Sequence, residues 1–160
     1  MMIAATLFAK YNGGRLKYVK DYYDAISQFY ISLPTPVMAG VRTPTRQFSS
    51  CVLIESGDSL DSINSTATSI VKYISKKAGI GIGAGSIRAA GARVGDGSIV
   101  HTGLIPFLKY FQSAVKSCSQ GGVRGGAATV YLPVWHYEFE DLVVLKNNKG
   151  TDETLSLIHI

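Results

Sequence analysis

The 160-residue sequence predicts an α/β fold in which parallel strands are covered by helices. Three observations carry that prediction. Short β-branched apolar runs each precede a stretch whose apolar residues recur at helical spacing. The strand-then-helix order repeats three times, and strands joined through a helix pair in parallel with the helices outside. Composition agrees: with 46% hydrophobic and 17% charged residues, the chain suits a packed core rather than disorder.

The opening run MMIAATLFAKYN reads as a helix that begins part-way along. It is too short to span a bilayer, and it lacks the basic segment and small-residue cleavage site of a secretory leader. In LKYVKDYYDAISQFY (16–30), Val19, Tyr22, Tyr23, Ile26, Phe29 and Tyr30 follow a 3.6-residue period, which predicts an amphipathic helix. Prolines punctuate LPTPVMAGVRTPTRQ (33–47) and predict extended or turning backbone. SSCVLIE (49–55) predicts a buried strand. Past Gly57, Asp58 or Ser59 is placed to cap a helix whose Leu60, Ile63, Ile70, Val71 and Ile74 share a face. Lys76 and Lys77 complement its dipole, and Gly79 stops it.

AGIGIGAGSIRAAGARVGDGS (78–98) predicts a short strand followed by a glycine-rich loop. Pro106 opens a helix through Phe107, Phe111, Ala114 and Val115. SQGGVRGGAA (119–128) is a second glycine loop, TVYLPVW (129–135) a strand and YEFEDLVVLKN (137–147) a helix. NNKGTDETLSLIHI then stops without a cap, so both ends of the sequence read as cut.

The net charge of +5 suits an anionic partner, but the Lys and Arg are scattered, which argues against a nucleic-acid groove. Cys51 and Cys118 make neither a CxxC pair nor a zinc spacing, so no metal site is predicted and a reducing, cytoplasmic setting is the default. GIGIGA (79–84) has the letters of a dinucleotide fingerprint, yet it follows a helix ending in YISKKA where the fingerprint needs a strand. A structural turn is the preferred reading. Asp58 with Ser59 at a helix start offers N–H donors and a carboxylate together, either as an ordinary cap or as a site for phosphate and ribose hydroxyls. His101 and His136 have no acid or nucleophile at a telling spacing and read as packing or turn residues. Glu138 and Glu140, two positions apart on a helix, diverge. Cys118 reads as a packing residue. Cys51, between Ser50 and an apolar strand, is either a small core residue or a redox or acid group beside a hydroxyl-lined pocket.

Taken together, LPTPVMAGVRTPTRQFSSC, GDSLDSI, AGIGI, IRAAG, HTG, KSCSQGGVRGGAAT and WH occur in an order that resembles the large, catalytic subunit of class I ribonucleotide reductase of the aerobic bacterial and phage type. The resemblance covers roughly residues 3–150. It implies part of the first parallel half of a ten-stranded α/β barrel over residues 1–150, then an unmatched, truncated or artefactual tail at 151–160. It also implies reduction of ribonucleoside diphosphates to deoxyribonucleoside diphosphates by thiyl-radical chemistry with a redox cysteine pair. By the same matching, Cys51 resembles the first cysteine of that pair, and Thr35 and Ser50 resemble substrate contacts. Asp58, Ser59 and Leu60 resemble contacts to the ribose and base of a deoxynucleoside triphosphate effector, and Arg88 its phosphate clamp. Val94 and Gly95, within 93–97, resemble the first specificity loop, and Gln120 and Arg124 the readers of the second.

Partners implied by the resemblance are a second large subunit, a metal-containing small subunit that supplies the radical, ATP or deoxynucleotide effectors, and thioredoxin or glutaredoxin as reductant. No cofactor, nucleic acid or membrane is implied for this chain. The thiyl-forming cysteine with its Asn and Glu, the disulfide partner of Cys51, the shuttle cysteines and the ATP-binding cone are absent from the sequence, and Gly83 and Ser86 depart from the family pattern. The chain alone is therefore expected to be inactive. Two other readings are a stand-alone nucleotide-binding or regulatory module and a nicotinamide-dependent oxidoreductase, the latter requiring a strand before Gly79.

Overall fold

The computed structural model describes residues 1–41, 43–44, 46–120, 124–145 and 158–159. It divides into two compact units, Met1–Ser50 and Cys51–Ile160, whereas the sequence reading runs one piece over residues 1–150.

The first unit holds three helices, α1 (Met2–Leu7), α2 (Arg15–Ser27) and α3 (Thr35–Gly40). Phe8 joins the first two by stacking on Tyr18 at 5.7 Å and meeting Tyr22 edge-on at 5.5 Å. The third helix corrects the expectation of extended or turning backbone over 33–47. Pro34 is itself extended and serves as the N-cap residue, and Pro36 falls in the first turn. There a missing N–H removes no intrahelical bond, so proline starts this helix instead of preventing it.

The second unit follows the expected alternation. Its elements are β1 (Cys51–Glu55), α4 (Leu60–Ser75), β2 (Gly79–Gly83), β3 (Arg93–Val94), β4 (Ile99–Val100), α5 (Ile105–Lys116), β5 (Ser119–Gln120), β6 (Arg124–Gly125), β7 (Ala128–Tyr131), α6 (Phe139–Val144) and β8 (Ile158–His159). Strands β1, β2, β7 and β8 lie in that order, all parallel. The core sits between this sheet and α4 and α5: Ile63, Ile70 and Ile74 from α4, Ile80 and Ile82 from β2, Leu108, Phe111 and Val115 from α5, and Ala128 and Val130 from β7.

Three details differ from the sequence reading. Strand β1 is buried on one side only: Val52 and Ile54 pack against the core, whereas Cys51, Leu53 and Glu55 are exposed. Period-two alternation puts those three on the face turned away from α4 and α5, which is uncovered among the described residues of this unit. Leu60 is 68% exposed, because the first position of α4 turns away from the stripe that buries Ile63, Ile70 and Ile74. The stop of α4 comes from Lys77, at φ 72°, with Ala78 N–H donating to Tyr73 O at 3.1 Å and Lys77 N–H to Ile74 O at 2.8 Å. Gly79 is thereby released to begin β2.

The first glycine-rich loop contains a hairpin, β3–β4, with Arg93 opposite Val100 and Val94 opposite Ile99. Its turn needs positive φ at Gly95 (60°) and Gly97 (87°), and Asp96 Oδ1 accepts the Ser98 N–H at 2.9 Å. The second loop contains the β5–β6 pair, with residues 121–123 outside the described ones. Strand β7 stops at Tyr131, short of Pro133, which has no N–H to donate. Of the expected tail, residues 151–157 and 160 lie outside the described residues, and Ile158–His159 pairs with Ala128–Thr129. Among the described residues, no helix is long and apolar enough to cross a membrane.

Candidate functional site

On the uncovered face of the sheet, Gly79, Gly81 and Gly83 of β2 stand opposite Cys51, Leu53 and Glu55 of β1. On the other side, Gly81 and Gly83 stand opposite Thr129 and Tyr131 of β7. With no Cβ on this face of β2, the flanking side chains lie close over its backbone. A Cβ at Gly81 would stand 2.5 Å from Leu53 Cδ2 and 3.0 Å from Tyr131 Cε2, and one at Gly83 would stand 1.8 Å from Glu55 Oε2. Cys51 is a free, exposed thiol at the start of β1 on this face. It is not a small core residue. GIGIG is itself a strand entered from the end of α4, so its glycines do not form the strand-to-helix turn of a dinucleotide fingerprint.

At the carboxyl ends of the strands, the chain from β1 to α4 makes the second feature. Ser56 is buried and its N–H donates to Gly83 O at 2.8 Å, while Gly57 N–H donates to Ser62 Oγ at 2.8 Å. Ser59 caps α4, its Oγ accepting the Ser62 N–H at 3.2 Å. That leaves Asp58 for another partner. Its Oδ1 accepts the Arg88 backbone N–H at 2.8 Å, and its Oδ2 accepts Arg88 Nε and pairs with Nη2. Arg88 Nη1 in turn donates to Arg93 O at 2.8 Å, which ties the β3–β4 hairpin to the pair.

Partial burial pushes the Asp58 carboxyl upward, but the Arg88 side-chain and backbone hydrogen bonds and the guanidinium charge, with a smaller contribution from His101, outweigh it. The carboxyl therefore sits below its ordinary value. Hydrogen bonding and charge from Asp58 hold the Arg88 guanidinium above its own.

The structure thus gathers Asp58, Ser59 and Arg88 at one edge, with Leu60 exposed beside the cap and Val94 and Gly95 in the attached hairpin. Thr35, at the start of α3, and Ser50 are exposed residues of the first unit. Gln120 and Arg124 are Cα partners across the β5–β6 pair, and their side chains lie outside the described residues. His101 Nδ1 accepts the Gly103 N–H at 3.1 Å, and Cys118 is half-buried against the core.

Sequence reasoning missed one residue here. Glu138 does not lie within a helix beside a diverging Glu140; it is the buried N-cap residue of α6. Its Oε2 accepts the N–H groups of Leu104 at 2.8 Å and Ala90 at 3.3 Å. A cavity of about 470 Å³ lined by Ile87, Arg88, Ala90, Ala92, His136 and Tyr137 adjoins this segment. The only local signal was an acid inside the otherwise apolar and aromatic run WHYEF.

Residues 49–159 match the family model described as ribonucleotide reductase, barrel domain, and residues 1–46 match the one described as ribonucleotide reductase, all-alpha domain. The chain belongs to the ribonucleotide reductase family. The two family matches part between residues 46 and 49, within a few residues of the structural division after Ser50, and the α/β unit is the one that matches the reductase barrel. The chain is 67% identical over 154 residues to the ribonucleoside-diphosphate reductase subunit alpha of Buchnera aphidicola subsp. Baizongia pistaciae, covering 96% of this chain and 20% of that protein. It is 66% identical over 153 residues to the ribonucleoside-diphosphate reductase 1 subunit alpha of Escherichia coli K12, covering 95% of this chain and 20% of that one. With the subunit alpha of Enterobacteria phage T4 the identity is 68% over 139 residues, covering 87% and 18%. The chain therefore spans about one fifth of the length of the curated reductase relatives it matches.

Proposed function

We propose that this chain acts in ribonucleoside diphosphate reduction, as the part of a reductase alpha subunit that bears one redox thiol and a nucleotide-effector site. Its relatives' names support the reaction, and the observation that carries the site is Cys51, a free thiol exposed on the uncovered face of a parallel sheet. A thiol on the core face could not reach a ligand.

In this reading a thiyl radical, whose formation depends on a metal-containing small subunit, activates the ribose by taking its 3′ hydrogen. Cys51 and a second thiol then supply two protons and two electrons. The bond from C2′ to its hydroxyl breaks, the oxygen leaves as water, and the two sulfurs close to a disulfide, which thioredoxin or glutaredoxin reopens; the abstracted hydrogen returns to C3′, which restores the thiyl radical. Thr35 and Ser50 hydrogen-bond the ribose and diphosphate. Deoxynucleoside triphosphate binds at Asp58, Ser59, Leu60, Arg88, Val94 and Gly95. Arg88 keeps N–H donors on Nη1 and Nη2 beyond those engaged by Asp58 and Arg93 O, and these are available to phosphate. Gln120 and Arg124 read the base, and a second alpha subunit completes the effector site. The cytoplasm supplies the reductant.

The test uses E. coli subunit alpha carrying this chain in place of its own matching segment, assayed with the small subunit and thioredoxin. Cys51→Ser should cut CDP turnover by about 10³-fold or more while leaving CDP binding intact. Turnover that survives the substitution overturns the redox assignment. A second reading, nucleotide binding without catalysis, is favoured by the gathering of Asp58, Ser59 and Arg88 inside one compact unit. It predicts dTTP binding by the 160-residue chain, in preference to NADH, together with a chimaera that never turns over.

A further inference from the structure

The two loops that leave the neighbouring strands β2 and β7 stay joined beyond the sheet. Ala84 N–H donates to Tyr131 O at 3.1 Å. Pro133 Cδ lies 2.6 Å from where a Cβ on Gly85 would stand, so the ring rests on bare backbone. His136 Nε2 is 2.9 Å from Ile87 O, and its Nδ1 is 3.2 Å from the Glu138 backbone N. A carbonyl can only accept and an N–H can only donate, so the ring must carry its hydrogen on Nε2.

Glu138 completes the series. One oxygen accepts from Leu104 N–H and Ala90 N–H, at opposite ends of a fifteen-residue segment that contains the β3–β4 hairpin. Its carboxyl lies against Gly103, at φ 96°, where a Cβ would come within 2.5 Å of Oε1. Leu104 is the fully buried N-cap residue of α5, and this carboxylate is the acceptor for its N–H. A charged acceptor holds two donors more firmly than a neutral one.

We propose that His136 and Glu138 are positioning residues that fix Ile87 and both ends of segment 90–104, and so hold Arg88 and the β3–β4 hairpin in place for the effector. This rests on the reading of Arg88 and the hairpin as effector-binding. Neither residue need touch the ligand. Both act through the backbone on either side of the groups that do.

The chimaeric subunit described above tests the proposal through Glu138→Ala and Glu138→Gln. Without nucleotide, Glu138→Ala should speed amide exchange over residues 87–104 and leave the protection of α4 unchanged. Its dTTP Kd should rise about tenfold, while kcat at saturating dTTP stays within about twofold of the parent. Glu138→Gln keeps an acceptor oxygen and should restore both exchange and Kd to within about threefold of the parent. Unchanged exchange and Kd in Glu138→Ala, a glutamine variant as impaired as the alanine one, or a kcat loss that saturating dTTP does not rescue would each overturn the proposal. If Glu138→Ala fails to fold, His136→Ala applies the same test at Ile87. A parent chimaera that binds no dTTP refutes the effector reading instead, and the nucleotide-free exchange experiment still decides whether the pair holds the segment.

Discussion

The two faces of the β1–β2–β7 sheet come from alternate residues of the same strands, yet they follow different rules. Toward the helices stand Val52, Ile54, Ile80, Ile82, Ala128 and Val130, packed with Ile63, Ile70 and Phe111. Away from them stand Cys51, Leu53, Glu55, the β2 glycines and Tyr131. Volume governs the first face, where each lost methylene leaves a cavity. Access governs the second, where β2 contributes only backbone and Leu53, Glu55 and Tyr131 are exposed. Strand β2 divides the two tasks residue by residue, isoleucine for stability and glycine for approach.

The largest effects should separate those faces. Phe111→Ala, at a fully buried position, should cost about 3–5 kcal/mol, whereas Leu53→Ala, 77% exposed, should stay within about 0.5 kcal/mol. Urea denaturation of the 160-residue chain measures both. Similar losses at the two positions would mean that the uncovered face is packed in solution, and the contrast would break.

Glycine substitutions give a sharper and smaller version of the same comparison. A Cβ at Gly126 would stand 2.3 Å from Val115 O, a backbone atom that cannot step aside. Gly126→Ala should therefore cost about 1–3 kcal/mol through backbone displacement. At Gly83 the obstacle is the carboxylate end of Glu55, a flexible side chain on the exposed face. Gly83→Ala should lie within about 0.5 kcal/mol of the parent once Glu55 rotates away. Equal shifts in the denaturation midpoints would show that Glu55 is held in place.

How far the sequence reveals these faces depends on the range of the interactions. The period of Ile63, Ile70 and Ile74 marks α4, and the motif order marks the reductase family, because both signals are local or cumulative. The exposure of Cys51 was within reach too: alternation in CVLIE puts the thiol opposite Val52 and Ile54, although a short apolar run also fits a strand buried on both sides. The β3–β4 hairpin had a signal in Asp96-Gly97 between Val94 and Ile99, hidden among many glycines. Helix α3 was masked by proline, which breaks helices inside but starts them at the first turn. Asp58 with Arg88, and Glu138 with Leu104 and Ala90, pair across thirty or more positions. No local pattern encodes such contacts; the fold has to bring them together first.

The smallest expected effect lies at the carboxyl-end edge of the sheet, at Asp58. Its carboxyl titrates below the ordinary value of 3.8, so the folded chain binds that proton less readily than the unfolded one. A depressed carboxylate contributes stability that is fully present above the unfolded value and is lost as pH falls through the folded one. The stability difference between the parent and Asp58→Asn should therefore be level from neutral pH to about 5 and shrink as pH drops below about 4. Because the Arg88 and Asp58 side chains are 37% and 28% exposed, solvent screens the pair and added salt should shrink the difference further. Denaturation midpoints of the two proteins at matched pH and salt provide the measurement. A gap that widens toward acid would mean that burial, not Arg88, dominates this carboxyl, and Asp58 would then belong with the packed face rather than with the accessible edge.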